Sequence, residues 1–232
     1  MNDYINEKEV RRMIKVIKPN GQLFEIRIML PGKKNLSGYF TDADTAVEKL
    51  KTNINLKNAI VYFTLNYVDP GCYSRLQRDH FEAFPENATT DADIIGYNWL
   101  MVDLDPKRPT GASSSDEELQ KARTLGEKVK KYLKVRGFSE PLMAMSGNGI
   151  HLLYKIGLKN TDENKALIKR CLQALDLVFS NDDIKVDTST FNPARICKMY
   201  GTLAQKGSNT PERPHRMSRI LSEADSYTEK PK

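Results

Sequence analysis

The chain has 232 residues, 39% of them hydrophobic and 28% charged, with 36 Lys and Arg against 30 Asp and Glu and a formal net charge of +6. That length allows one large domain or two small ones around a sizeable core, and the composition excludes a disordered or fibrous chain. No run of about 18 apolar residues occurs, which excludes a helical membrane span, and the charged start MNDYINEKEVRRMIK lacks a signal peptide's apolar stretch, so a cytoplasmic protein is expected.

In chain order, the first stretch reads as a capped helix, and Leu23 to Leu30 (LFEIRIML) as a strand with alternating faces. Pro31-Gly32 turns the chain and Gly38-Tyr39-Phe40 begins the return. Asp42 or Asp44 is placed to cap a helix through Leu50, and Ala59 to Leu65 is a β-branched and aromatic run typical of a buried strand. Asp69 to Asp93 shows little periodicity and reads as a long loop or a short helical excursion. Trp99 to Asp105 (WLMVDLD) is a strand stopped by Pro106. Glu117 to Val135 carries a helical period, with Ser114 and Glu117 as its capping box and Gly137 as its stop. Leu142 to Met145 and Ile150 to Ile156 form a hairpin around Ser146-Gly-Asn-Gly. Thr161 caps a helix to about Phe179, Ile184 to Asp187 is a further strand, and Ile196 to Thr202 is one more candidate.

The order strand, helix, hairpin, helix, strand predicts an α/β (α+β) chain with an RRM-like mixed sheet and helices on one face. The expected divisions are an N-terminal α/β unit over 1–95, the RRM-like unit over 96–221 and a polar tail over 222–232.

Asp103 and Asp105 are two apart in a strand and share a face, which leaves Leu100, Val102 and Leu104 to bury on the other. Adjacent carboxylates repel unless a cation lies between them, and their oxygens suit Mg²⁺ or Mn²⁺. The plainer alternative is a solvated turn before proline. Asp187 closes an apolar strand as Asp105 does; three acids on one sheet face are what two-metal phosphoryl transfer requires. Its alternative is a strand-end Asp capping the Thr188-Ser189 turn. In SGNGIH, the glycines free backbone N–H groups to cradle phosphate and His151 can donate to a phosphate oxygen, although a glycine-rich hairpin turn is often only structural. Between Asp187 and Arg219 stand Arg195, Lys198, Lys206, Arg213, Arg216 and Arg219 against Asp187 and Glu212, a local excess of four positive charges (six minus two) that suits nucleic acid or a nucleoside triphosphate.

VDLD, SGNGIH, VDTSTFNPARICKMYGT and the following KG…ERPHR resemble, in order, the motifs of the archaeo-eukaryotic primase superfamily, most of all the primase-polymerase domains of bacterial plasmids, phages and CRISPR-associated loci. With FEIRIM, SGYF and YFTLN the resemblance covers roughly residues 22–221. It implies a template-directed nucleotidyltransferase that uses dNTPs or NTPs on a DNA template and primer and can also start strands. By position, Asp103, Asp105 and Asp187 would be the catalytic acids holding two divalent ions. Ser146, His151 and Arg195 would contact the incoming nucleotide. Lys198, Lys206, Arg213, His215 and Arg216 would serve its triphosphate or the template-primer backbone. Arg27 is a further nucleotide contact, and Tyr39 and Asn66 are candidate pocket residues. Cys72, Cys171 and Cys197 lie far apart without a CxxC, so no disulfide framework or structural zinc module is expected. No GxxxxGK[ST] occurs, so no helicase motor is expected, and the polar tail suggests a catalytic part of a longer protein with further domains. The rivals are a metal-dependent nuclease, which leaves SGNGIH unexplained, and a non-catalytic RRM-like binding module, which the acids oppose because they repel phosphate.

Overall fold

Phe24, Ile26 and Ile28 are fully buried at alternate positions of one strand, which is the period a sheet with one core face requires. A computed structural model describes residues 3–32, 35–52, 54–83, 86 and 88–224. Its N-terminal part runs α1 (Glu7–Ile17), β1 (Phe24–Met29), β2 (Leu36–Phe40), α2 (Ala43–Thr52), β3 (Ile60–Thr64), β4 (Tyr67–Val68) and β5 (Glu82–Ala83). Then follow β6 (Ile94–Pro106), α3 (Asp116–Val135), β7 (Leu142–Met145), β8 (Ile150–Lys159), α4 (Asp162–Phe179), β9 (Ile184–Val186), β10 (Ile196–Lys198), β11 (Leu203–Ala204), β12 (Arg216–Met217) and β13 (Arg219–Ser222).

Two large sheets result. One has the order β10-β3-β1-β2-β5; the other has β13-β7-β8-β6-β4, with β9 pairing the far end of β6. Among the described residues every ladder is antiparallel, a narrower outcome than the mixed sheet expected. The second sheet is buried on both sides. Leu100, Val102 and Leu104 of β6 pack with Leu125, Val129, Leu172 and Leu175 of α3 and α4, as their alternation predicts. Trp99, Met101, Leu142 and Leu153 face the other way and join the core under α1, α2 and the first sheet.

Several expected boundaries move. β6 begins at Ile94, five residues before Trp99, and includes Pro106, which pairs with Ile184 at the strand end where a missing N–H costs little. The capping box of α3 is Ser115 with Glu118, one residue later than expected, because the Ser114 hydroxyl bonds Asn148 O instead. Ile196–Thr202 is not one strand: β10 ends at Lys198, and a turn through Gly201 separates it from β11. The irregular stretch after Asp69 contains short 3-10 turns, Pro70–Ser74 and Asp91–Asp93, and the two-residue β5. Ser222 belongs to β13; residues 225–232 of the expected tail lie outside the described residues.

Candidate active site

The site lies in the gap between the two sheets. β6 brings Asp103 and Asp105, and Asp103 stands directly opposite His151 of β8. β9 pairs with the end of β6, Leu104 against Val186, and the Asp187 amide donates to Asp103 O at 2.9 Å, so the third acid lines the same cavity as the first two. The following loop is fastened by Thr190, whose hydroxyl donates to Met101 O at 2.9 Å. It returns through Arg195 into β10, which pairs with β3 and sets Lys198 opposite Tyr62. A cavity of about 440 Å³, within the usual size for small-molecule sites, is lined by the three acids together with Tyr62, Ser146, His151, Arg195, Lys198 and Lys206.

Burial and the neighbouring negative charges of Asp105 and Asp187 push the Asp103 carboxyl up to about 8, although its side chain keeps 22% of its surface open. Asp105 is paired with Arg108 at 2.8 Å, and Arg195 lies 3.9 Å from Asp187. Asp187 Oδ1 also accepts from the Ser189 amide at 2.8 Å, so the turn-capping role weighed for it is present alongside its place among the acids. His151 is buried, and burial together with the Arg195 charge lowers it to about 3. It is therefore neutral, and the 3.5 Å approach of its Nε2 to Asp103 is a polar contact and not an ion pair. Its Nδ1 lies 2.9 Å from the Tyr200 hydroxyl, which lies 3.4 Å from Cys197 Sγ. If the phenol donates to Nδ1, Nε2 carries the proton towards Asp103 and the cavity; the opposite tautomer would set a bare lone pair against a carboxylate. Lys198 is 5% exposed, donates to Leu203 O and is lowered to about 7 by burial. Arg195 donates to Ser189 Oγ through Nη2, while its buried Nε has no partner among the described residues.

The SGNG turn is closed on itself more than an open phosphate cradle would be. Ser146 Oγ accepts from the Gly149 amide at 3.1 Å, and Asn148 Oδ1 accepts from the Ser114 amide. Its glycines answer to packing: a Cβ on Gly147 (φ +108°) would sit 2.1 Å from Ala204 Cβ, and one on Gly149 2.6 Å from Leu104 O.

The remaining candidates lie elsewhere. Arg213 forms a two-pronged pair with Glu118, and Arg216 is bound to Ser114 O and Asp116 at the start of α3. His215 is tied to Gly207 O and Asn209. On β1, Arg27 pairs with Glu25 and also donates to Thr89 O in the stretch before β6. Tyr39 and Asn66 are buried and bonded internally, Tyr39 to Thr89 and Asn66 to Pro193 O and the Asn98 amide. None of these six lines the cavity. Among the lining residues that sequence reasoning passed over are Arg108 and Tyr62. The signal for Arg108 was available, since DLDPKR places a cation three residues after Asp105.

Among the described residues no group of three His, Cys, Asp or Glu is drawn together as a metal site. Arg108 and the Ser189 amide hold Asp105 and Asp187 instead.

No protein-family model matches the chain, and no curated protein matches it in sequence. Its fold is similar to the AEP domain of the cyanophage S-2L primase-polymerase, with 12% identity, a TM-score of 0.56, and coverage of 97% of this chain and 94% of that one. A crystal structure of primase RepB′ aligns at 10% identity and TM-score 0.49 over 94% of this chain and 56% of that one. The catalytic domain of that primase in complex with initiator DNA aligns at 10% and 0.48, over 94% and 84%. The chain has the fold of an archaeo-eukaryotic primase domain.

Proposed function

We propose that the chain is a template-directed nucleotidyltransferase of the primase-polymerase kind, extending a DNA primer with dNTPs or NTPs. The observation that supports this most is the juxtaposition of Asp103, Asp105 and Asp187 at one cavity whose other walls are Arg195, Lys198, Lys206 and a neutral His151. A binding module gains nothing from three acids beside a phosphate site, and a nuclease does not need a cavity of nucleotide size beside them.

The donor set fits Mg²⁺ or Mn²⁺. All three side chains offer carboxylate oxygens, and the raised proton affinity of Asp103, caused by burial and two like charges, is the repulsion a divalent ion relieves. Asp105 would exchange Arg108 for the ion. Bound there, two such ions would supply charge stabilisation of the attacking and leaving oxygens. The chain's own part is positioning: Arg195 and Lys198 neutralise and orient the triphosphate, and a nucleotide phosphate would hold Lys198 in its charged form. His151, oriented by Tyr200, donates from Nε2 to a phosphate oxygen.

Incubating labelled primer-template with nucleotides and Mg²⁺ or Mn²⁺ tests this reading. Templated extension lost in Asp103→Ala/Asp105→Ala is expected. Primer shortening without nucleotide dependence would replace it with the nuclease.

A further inference from the structure

Away from the acids, a groove of about 450 Å³ runs between α3 and the last strands of the chain. Asp116, Leu119, Gln120 and Arg123 form one wall, and their spacing of three and four residues puts them on a single stripe of the helix. Arg216 and Met217 of β12, with Arg219 and Leu221 of β13, form the other wall. Met145 and Ile150 close the floor. Both belong to the core beneath α3, whereas their strand neighbours Ala144 and His151 face the opposite way, into the other core and the acids' cavity. The second sheet therefore stands between this groove and the three acids.

The charge of the groove is one-sided. Three arginines line it against one acid, and Arg216 already holds that acid, Asp116, at 2.7 Å. Arg216 is further fixed by its Nη1, which donates to Ser114 O at 2.7 Å. Arg123 and Arg219 are exposed, and among the described residues neither has an ion pair or a side-chain hydrogen bond. Two uncommitted guanidinium groups, one on each wall, above Leu, Met and Ile, match an occupant with carboxylates at its edges and aliphatic side chains between them. Arginine and methionine around an apolar centre are the make-up of a protein interface, and methionine adapts to the shape it receives. A nucleic-acid strand is a poorer match, because among the described residues lining the groove there is no aromatic ring for a base to stack on.

We propose that this groove docks a short acidic segment of a partner protein. Its carboxylates meet Arg123 and Arg219, and its aliphatic side chains rest on Leu119, Met217 and Leu221. A partner held there recruits the domain while the cavity beside the acids stays open.

A fluorescein-labelled octapeptide of four Asp, two Leu and two Gly is the probe, titrated into the full chain and followed by fluorescence anisotropy. Saturable binding is expected for the wild type. It should weaken about tenfold or more in Arg123→Ala/Arg219→Ala, as two lost charged contacts imply. Both side chains are exposed, so the variant keeps its core and its thermal melt should not move. Asn in place of the four Asp, Ser in place of the two Leu, and added salt should each weaken binding. Primer extension by the variant should stay within about twofold of the wild type. No binding by the wild type, equal binding by the variant, or binding indifferent to the Leu residues would overturn the proposal. A labelled single-stranded oligonucleotide that loses affinity in the variant, together with primer extension, would assign the arginines to nucleic acid and overturn it as well. The peptide titration needs neither nucleotide nor metal, so failure of the polymerase reading would leave its result standing.

Discussion

At the scale of single residues, burial sets the chemistry of charged groups far from the site as well as within it. Lys18 is 3% exposed, its ammonium donates to Asn66 O, and burial lowers it from 10.5 to about 7. Between those values the unfolded chain holds a proton that the folded chain has released, so folding stability from this residue rises with pH across about 7 to 10.5. Urea unfolding at pH 7 and pH 9.5 is expected to show a gain for the wild type and a smaller one for Lys18→Met; an equal gain would exclude the effect. The legible residues were those whose position follows from a two-residue strand period. Asp103 and Asp105 share a face for that reason, and the neighbouring ladder brings Asp187 to them. Arg213, His215 and Arg216 were drawn in by a charge run that does not specify which surface it faces, and each is committed to a partner near α3 or the 207–209 loop. Tyr62 was missed because its place depends on β10 crossing from the end of the chain to pair with β3, which no local pattern encodes.

At the scale of elements, turns and caps position the site by close backbone approach. Gly147 touches Ala204 of β11, and β11 leads directly to Lys206. Gly147→Ala is expected to destabilise by more than about 1 kcal/mol, since both its φ and the space forbid a Cβ. It should also lower nucleotide affinity by displacing that strand, and a thermal melt with a nucleotide titration measures both; an unshifted melt would contradict the packing. Ser115→Ala should cost about 1 kcal/mol through loss of the α3 cap, read as a lower urea midpoint. The sequence pattern pointed to a capping box at Ser114, and only the hairpin contact at Asn148 explains why the neighbouring serine takes that role. Helix α4 was legible to within a residue because Thr161 and its apolar period agree. The long β6 was not, since its first residues pair with β4 and lack the apolar run that marks the remainder.

At the scale of the whole molecule, the second sheet has two buried faces, and one of them is covered by the N-terminal half. Trp99, Met101, Leu142 and Leu153 share a core with Phe24, Ile26 and Phe63, and β10 crosses into the first sheet. Residues 96–221 by themselves would expose that face and carry β10 without its partner. We expect the segment to fail to fold alone and the full chain to unfold in one transition, checked by urea titration followed by circular dichroism and Trp99 fluorescence. Non-coincident transitions would point to separable units. Joining the sheets also forms the gap in which the cavity beside the three acids lies, so the proposed chemistry belongs to the assembled fold. The most direct test is single-nucleotide incorporation on four primer-templates that differ only in the first unpaired base, with wild type beside Asp103→Asn. Addition that follows the template base in the wild type and vanishes in a folded Asp103→Asn is the result predicted. Addition indifferent to the template base, or undiminished without the Asp103 carboxylate, would contradict it.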